Sequence, residues 1–169
     1  WKRLKRNRLA MAGLVVFCVL VLMALLPGVF STHDPLEQDY TQVLQKPSGE
    51  HFFGTDNFGR DIYSRIIYGT RVSLGIGLAG VIFALVCGGL LGAVASFYGG
   101  RTDNIIMRFM DVLQSIPNVL LALSIAAVLG QGVVNLMLAM GISSIPLYAR
   151  VVRASVLTVK SKEYVEAGR

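Results

Sequence analysis

Charge is scarce in this sequence: only 15% of its 169 residues are Asp, Glu, Lys or Arg, while 54% are hydrophobic. Ordinary soluble domains carry roughly a quarter charged residues, so that class is excluded. Cysteine is scarcer. Cys18 and Cys87 each sit inside an apolar run without metal-ligand spacing and read as small packing residues, so no metal site is expected. No G-x-x-x-x-G-K-[ST] phosphate loop is present, so no cofactor or nucleotide is expected to bind the chain directly. The long apolar runs also lack Asp, Glu and His. Ser124, Ser143 and Ser144 therefore have no base beside them, and no catalytic residue is expected. Ion-coupled transporters place ionisable groups inside the membrane, so this absence argues against them too.

What the chain does have is uncharged length. No charge falls between Arg8 and Asp34, between Arg71 and Arg101, or between Asp111 and Arg150. A helix needs about 20 apolar residues to cross a bilayer core. The first run predicts a span over 9–30, longer than the apolar core of a signal peptide and without a small-residue cleavage site. The second predicts a span over 72–100. The third is too long for one helix and contains "GQGVVN", which is turn chemistry. It divides into spans at about 112–129 and 133–152. The expected fold class is an all-α membrane protein, a polytopic helical bundle with four spans present.

Lys and Arg set the orientation. Twelve of the sixteen fall in the N-terminal arm "WKRLKRNR", the 101–111 segment and the tail from Arg150, which share one side of a four-span arrangement. The expected N-terminus is cytoplasmic, and the 31–71 loop, which holds both His33 and His51, lies outside. In apolar company the net charge of +6 marks a membrane face rather than a nucleic-acid surface. Three domains follow: 1–30, a basic arm with the first span; 31–71, an external loop with a short interfacial helix; and 72–169, the start of the main transmembrane domain.

Within the loop, "GTDNFGRD" supplies Gly54, Thr55, Asp56, Gly59, Arg60 and Asp61. Its spacing fits neither a phosphate loop nor a calcium loop. It reads as a turn leading into a helix from about Gly59. There Ile62, Tyr63, Ile66 and Ile67 share one face, while Asp61, Ser64 and Arg65 lie opposite. Such a helix would rest on the outer surface, with Tyr63 and Tyr68 at headgroup level; a docking surface or gate is the sharper alternative. Ala84, Gly88, Gly92 and Ser96 form a small-residue ridge at every fourth position, suited to close helix packing. Arg101, Asn104, Arg108 and Asp111 make a polar stripe at helical period, with Arg108 and Asp111 spaced to pair. Arg101, Arg108 and Asp111, with Pro117 and Pro146 interrupting the last two spans, are candidate gate or interface positions. Ser143 and Ser144 offer hydroxyls for backbone groups that Pro146 frees. The final stretch "KSKEYVEAGR" carries both charges in a short helical pattern suited to a protein partner.

Taken together, "HFFGTDNFGRDIYSRIIYGTRVSL", "RTDNIIMRFMDVLQSIPNVLLAL" and "KEYVEAGR" resemble the C-type inner-membrane permease subunits of bacterial dipeptide/oligopeptide ABC importers. The closing residues look like the start of that family's EAA loop. Glu166 and Ala167 match its pattern, Gly168 stands where a second alanine is usual, and Glu163 and Arg169 flank them. The resemblance implies six spans in the whole protein and a chain cut within the helix that couples to the motor. It implies a localisation in the bacterial inner membrane and no enzyme activity, ATP being used by partner subunits. The implied partners are a second homologous permease subunit in a heterodimer, two cytosolic ABC ATPase subunits, an extracytoplasmic solute-binding protein and the lipid bilayer, with no nucleic acid. The substrate stays open between peptides and another small solute such as a nickel complex. A structural or receptor-like membrane subunit is the remaining alternative on residue chemistry.

Overall fold

Runs this apolar form helix because a helix satisfies every internal backbone group without water. A computed structural model describes residues 6–160, and these are helical apart from one long loop, short turns and a single β-bridge. The chain divides into two compact units, residues 1–75 and 76–169.

In the first unit, α1 runs Arg8–Leu25 and α2 is the short turn Pro27–Phe30. The Asn7 side chain caps α1, accepting from the N–H groups of Leu9 and Ala10 at 3.1 and 3.3 Å. No α1 side chain is buried. Its 18 residues reach about 27 Å, close to the thickness of a bilayer core. Pro27 takes the first position of α2, where its missing N–H costs nothing. The loop from Ser31 to Asp61 then returns the chain to α3, Ile62–Tyr98.

The short interfacial helix expected from about Gly59 is not a separate element. It forms the first turns of α3, whose 37 residues measure about 55 Å, well beyond one bilayer core. Arg65 and Arg71 end the uncharged run but not the helix, since charged residues are ordinary helix formers. The expected faces also differ. Ser64 is fully buried and Asp61 nearly so, while Ile66 is half exposed. The polar face at the start of α3 carries the loop.

In the second unit, α4 spans Gly100–Gln114, α5 Asn118–Leu129 and α6 Val133–Lys160. The span expected at 112–129 is bent: α4 and α5 meet at 86°. Pro117 explains the break, because a proline disfavours helical geometry in the residue before it. The turn at 130–132 joins α5 to α6, and the Asn135 amide donates to the carbonyls of Leu129 and Gly130 at 2.7 and 3.3 Å, capping α5. Among the described residues, three helices are long and apolar enough to cross a membrane, or four when the bent pair counts as one.

Candidate functional site

The loop site is built by "GTDNFGRD". An antiparallel bridge pairs Thr55 with Asp61, and Asp56 N–H donates to the Arg60 carbonyl at 3.0 Å. Gly54 and Gly59 adopt φ of +75° and +73°, the left-handed region that favours glycine. A Cβ on Gly54 would strike the Gln45 carbonyl, and one on Gly59 the Asp39 carbonyl. Both glycines therefore let distant loop backbone press against the motif. Thr55 ties the same region down, donating its hydroxyl to the Gln42 carbonyl and accepting from Gln45 N–H at 2.8 Å.

Asp56 and Asp61 divide the work. Asp56 accepts from the N–H groups of Phe58 and Arg60 at 2.8 and 3.1 Å, and it pairs with the guanidinium groups of Arg60 and Arg65. Burial pushes its carboxyl up, but the Arg60 side chain and those two backbone donors outweigh it and hold the pKa at about 2. Asp61 caps α3 through Ser64 N–H at 2.7 Å and meets His51 Nδ1 at 3.0 Å. Burial raises its pKa, while hydrogen bonds from Ser64 and His51 bring it below the ordinary value. The buried Ser64 hydroxyl accepts from the N–H groups of Thr32 and His33 at 3.2 and 3.0 Å. Together these residues tie the 31–61 segment to itself and, through Asp56, Asp61 and Ser64, to the head of α3. The His33 and His51 rings lie with centroids 4.6 Å apart and planes tilted by 34°, a meeting that their separation in sequence does not signal.

The second group lies in the other unit. Ala84, Gly88, Gly92 and Ser96 are all buried. A Cβ on Gly88 would lie 2.6 Å from the Ile145 carbonyl, and one on Gly92 would collide with the Ala149 carbonyl. The ridge therefore brings the α3 and α6 backbones together. Ser96 turns its hydroxyl back onto the Gly92 carbonyl at 2.8 Å, hiding its polarity within α3. Lys160 reaches the carbonyls of Ser96 and Phe97 at 3.3 and 3.1 Å, where α3 ends.

Asp111 pairs with Arg150 at 2.6 Å rather than with Arg108. Asp103, which the helical stripe does not include, receives two hydrogen bonds of 2.5 Å from Arg153. The two pairs join α4 to α6 from positions 39 and 50 residues apart, so no local spacing announces them. Arg101 and Arg108 are exposed on α4. Pro117 lies at the α4–α5 bend, whereas Pro146 is buried within an unbroken α6. The carbonyl that Pro146 leaves without its usual donor is that of Ile142. The Ser143 and Ser144 hydroxyls instead donate to the Met140 carbonyl, at 3.0 and 2.8 Å. Glu163, Glu166, Ala167, Gly168 and Arg169 lie outside the described residues.

Two family models match. Residues 1–47 fit the N-terminal TM domain of oligopeptide transport permease C, and residues 80–169 fit the binding-protein-dependent transport system inner membrane component. A dipeptide transport system permease protein, DppC, of Alkalihalophilus pseudofirmus is 38% identical over all of this chain and 56% of its own length. A probable D,D-dipeptide transport system permease protein, DdpC, of Escherichia coli is 41% identical over 98% of this chain and 56% of its own. The oligopeptide transport system permease protein OppC of Bacillus subtilis is 38% identical over all of this chain and 57% of its own. The chain thus spans a little over half the length of these curated relatives.

Proposed function

The chain belongs to the binding-protein-dependent transport system inner membrane component family, and from that premise we propose that it serves as a transmembrane subunit of an ABC importer for dipeptides or oligopeptides. The match over 80–169 carries this reading, because it covers the unit in which α3, α4, α5 and α6 pack. A second homologous permease completes the pathway as a heterodimer, a solute-binding protein delivers the peptide, and two cytosolic ATPases supply the energy. The subunit lies in the bacterial inner membrane with its N-terminus cytoplasmic, in keeping with the twelve Lys and Arg assigned to that side.

Transport by such a subunit needs two states, and nucleotide drives the change only by favouring one of them. The α4–α6 layer has the means to couple them: Arg150 and Arg153 grip Asp111 and Asp103 on a helix that bends at Pro117. In this proposal the segment containing Glu163, Glu166, Ala167, Gly168 and Arg169 meets the ATPase, and α6 leads directly towards it. A movement of that segment is passed along α6 to α4 chiefly through the two-point Arg153–Asp103 pair. The full-length permease, reconstituted with its partner subunits, tests the proposal. Replacing Glu166 by Lys is expected to abolish peptide uptake while weakening ATPase association. Unchanged uptake and unchanged association would overturn it.

A further inference from the structure

The loop brings three metal-ligating side chains to one place. His33, Glu50 and His51 each offer a donor atom within 4.8 Å of the other two. All three line a cavity of about 210 Å³ whose wall also includes Asp34, Glu37, Asp39 and Asp61, with no lysine or arginine in its lining. Two imidazoles and a carboxylate in an acidic pocket suit a borderline divalent cation better than a hard one, which prefers oxygen alone. We propose that His33, Glu50 and His51 bind one such ion, with Zn²⁺ as the type, and that it staples the start of the loop to its middle.

The surroundings prepare His51 for this. Its Nδ1 faces the Asp61 carboxylate at 3.0 Å, and Asp61 is itself fixed by Ser64 N–H at 2.7 Å. A carboxylate behind one ring nitrogen sets the proton there and directs the other nitrogen to the metal, the usual arrangement around zinc-binding histidine. His51 Nε2 meets the Gln42 side-chain oxygen at 3.0 Å. A cation taking Nε2 turns that oxygen into a fourth ligand or a partner for bound water. The Thr32 hydroxyl steadies the His33 ring, lying 3.0 Å from Nδ1.

Donors around tetrahedral zinc lie about 3.3–3.4 Å apart, so the three side chains must draw in. Buried His51 is the fixed member, while half-buried His33 and exposed Glu50 have room to close on it. The rival occupant of the same geometry is a proton: His51 as an imidazolium between Asp61 and Gln42, with no metal. Neither occupant depends on the transport reading.

The test uses the full-length permease purified in detergent through a tag without histidine. It is incubated with Zn²⁺ alone, desalted and analysed by elemental mass spectrometry. About one zinc per chain is expected to remain. His33→Ala and Glu50→Gln should each lower retention towards the level of a blank, whereas Gln38→Ala, at an exposed loop position outside the cavity lining, should leave it unchanged. Cobalt in place of zinc should give the visible absorption of a tetrahedral site in the parent protein and not in His33→Ala. Zinc should also slow proteolysis of the 31–61 segment in the parent alone. His51→Ala is avoided because that side chain also holds Asp61. Zinc at blank level in the parent, or equal retention in the parent and in His33→Ala, would overturn the proposal.

Discussion

Arg153 grips both carboxylate oxygens of Asp103 at 2.5 Å, joining α6 to α4 from positions fifty residues apart. The neighbouring pair, Arg150 with Asp111, has one contact of 2.6 Å and about half of each side chain exposed, against 34% and 17% for Arg153 and Asp103. A planar, two-point bond in a less wetted setting is stronger and more directional than a single exposed contact. The two ion pairs therefore differ in kind: one positions α4 on α6, and the other adds little.

A double-mutant cycle should separate them. Asp103→Asn and Arg153→Gln, singly and together, are expected to reveal a coupling of about 1 kcal/mol in thermal unfolding of the detergent-solubilised full-length protein. The same cycle on Asp111 and Arg150 should give a value near zero. Arg153→Lys should lose most of the first coupling, since an ammonium cannot make the fork. Equal couplings in both cycles would refute the distinction.

The α3–α6 contact makes a sharper demand. Any side chain on Gly92 must displace the backbone at Ala149, which has no rotamer with which to yield. Gly92→Ala should therefore destabilise the protein by about 1–3 kcal/mol, as overpacking of a tight interior does. Gly75→Ala, on the same helix with nothing within 4 Å, should be neutral or stabilising by up to about 1 kcal/mol. Melting temperatures of the two variants, measured side by side, check the contrast.

How much of this is legible in the residues depends on the range of the force involved. Long uncharged runs announce α1, α3 and α6 because a bilayer penalises charge wherever it falls in the run. The ridge at Ala84, Gly88, Gly92 and Ser96 is legible for a related reason: small residues at helical period make a groove in the helix itself. That the helix starting near Gly59 continues unbroken into the span is not legible, because Arg65 and Arg71 end the uncharged run without ending the helix. Periodicity also says which side chains share a face but not what covers it. Asp61 and Ser64 look solvated in sequence, yet the loop closes over them. The pairing of Asp103 with Arg153 and the meeting of His33 with His51 belong to tertiary structure, and nothing local encodes them.

Gly59 shows how one loop position can be tested against a matched control. Alanine there must hold a φ of +73° and displace the Asp39 carbonyl. The backbone conformation alone costs an L-residue roughly 1–2 kcal/mol. Gly49 lies in the same loop with nothing within 4 Å of the place a Cβ would take and no left-handed φ. Limited proteolysis should cut the 31–61 segment faster in Gly59→Ala than in the parent, and at the parental rate in Gly49→Ala. Equal resistance in all three proteins would show that the motif does not fasten the loop.

Acid provides an independent handle on the same fastening, through Asp56. Its carboxyl titrates at about 2 in the folded loop, against 3.8 for an unperturbed aspartate. A folded-state pKa below the unfolded one means that the unfolded loop binds protons more readily. The stabilisation is thus complete above about pH 4, shrinks as the pH falls from there, and is gone below about pH 2. The amides of Phe58 and Arg60, which donate to this carboxylate, should report it directly. Their hydrogen-exchange protection, corrected for the intrinsic pH dependence of exchange, should hold steady from neutral pH to about 4 and fall between about 4 and 2. Asp56→Asn removes the titrating group and both ion pairs. It should lower protection at neutral pH and flatten the acid transition. A parent loop equally protected at pH 2 and pH 7, or a variant with an undiminished transition, would assign the acid response to some other carboxylate.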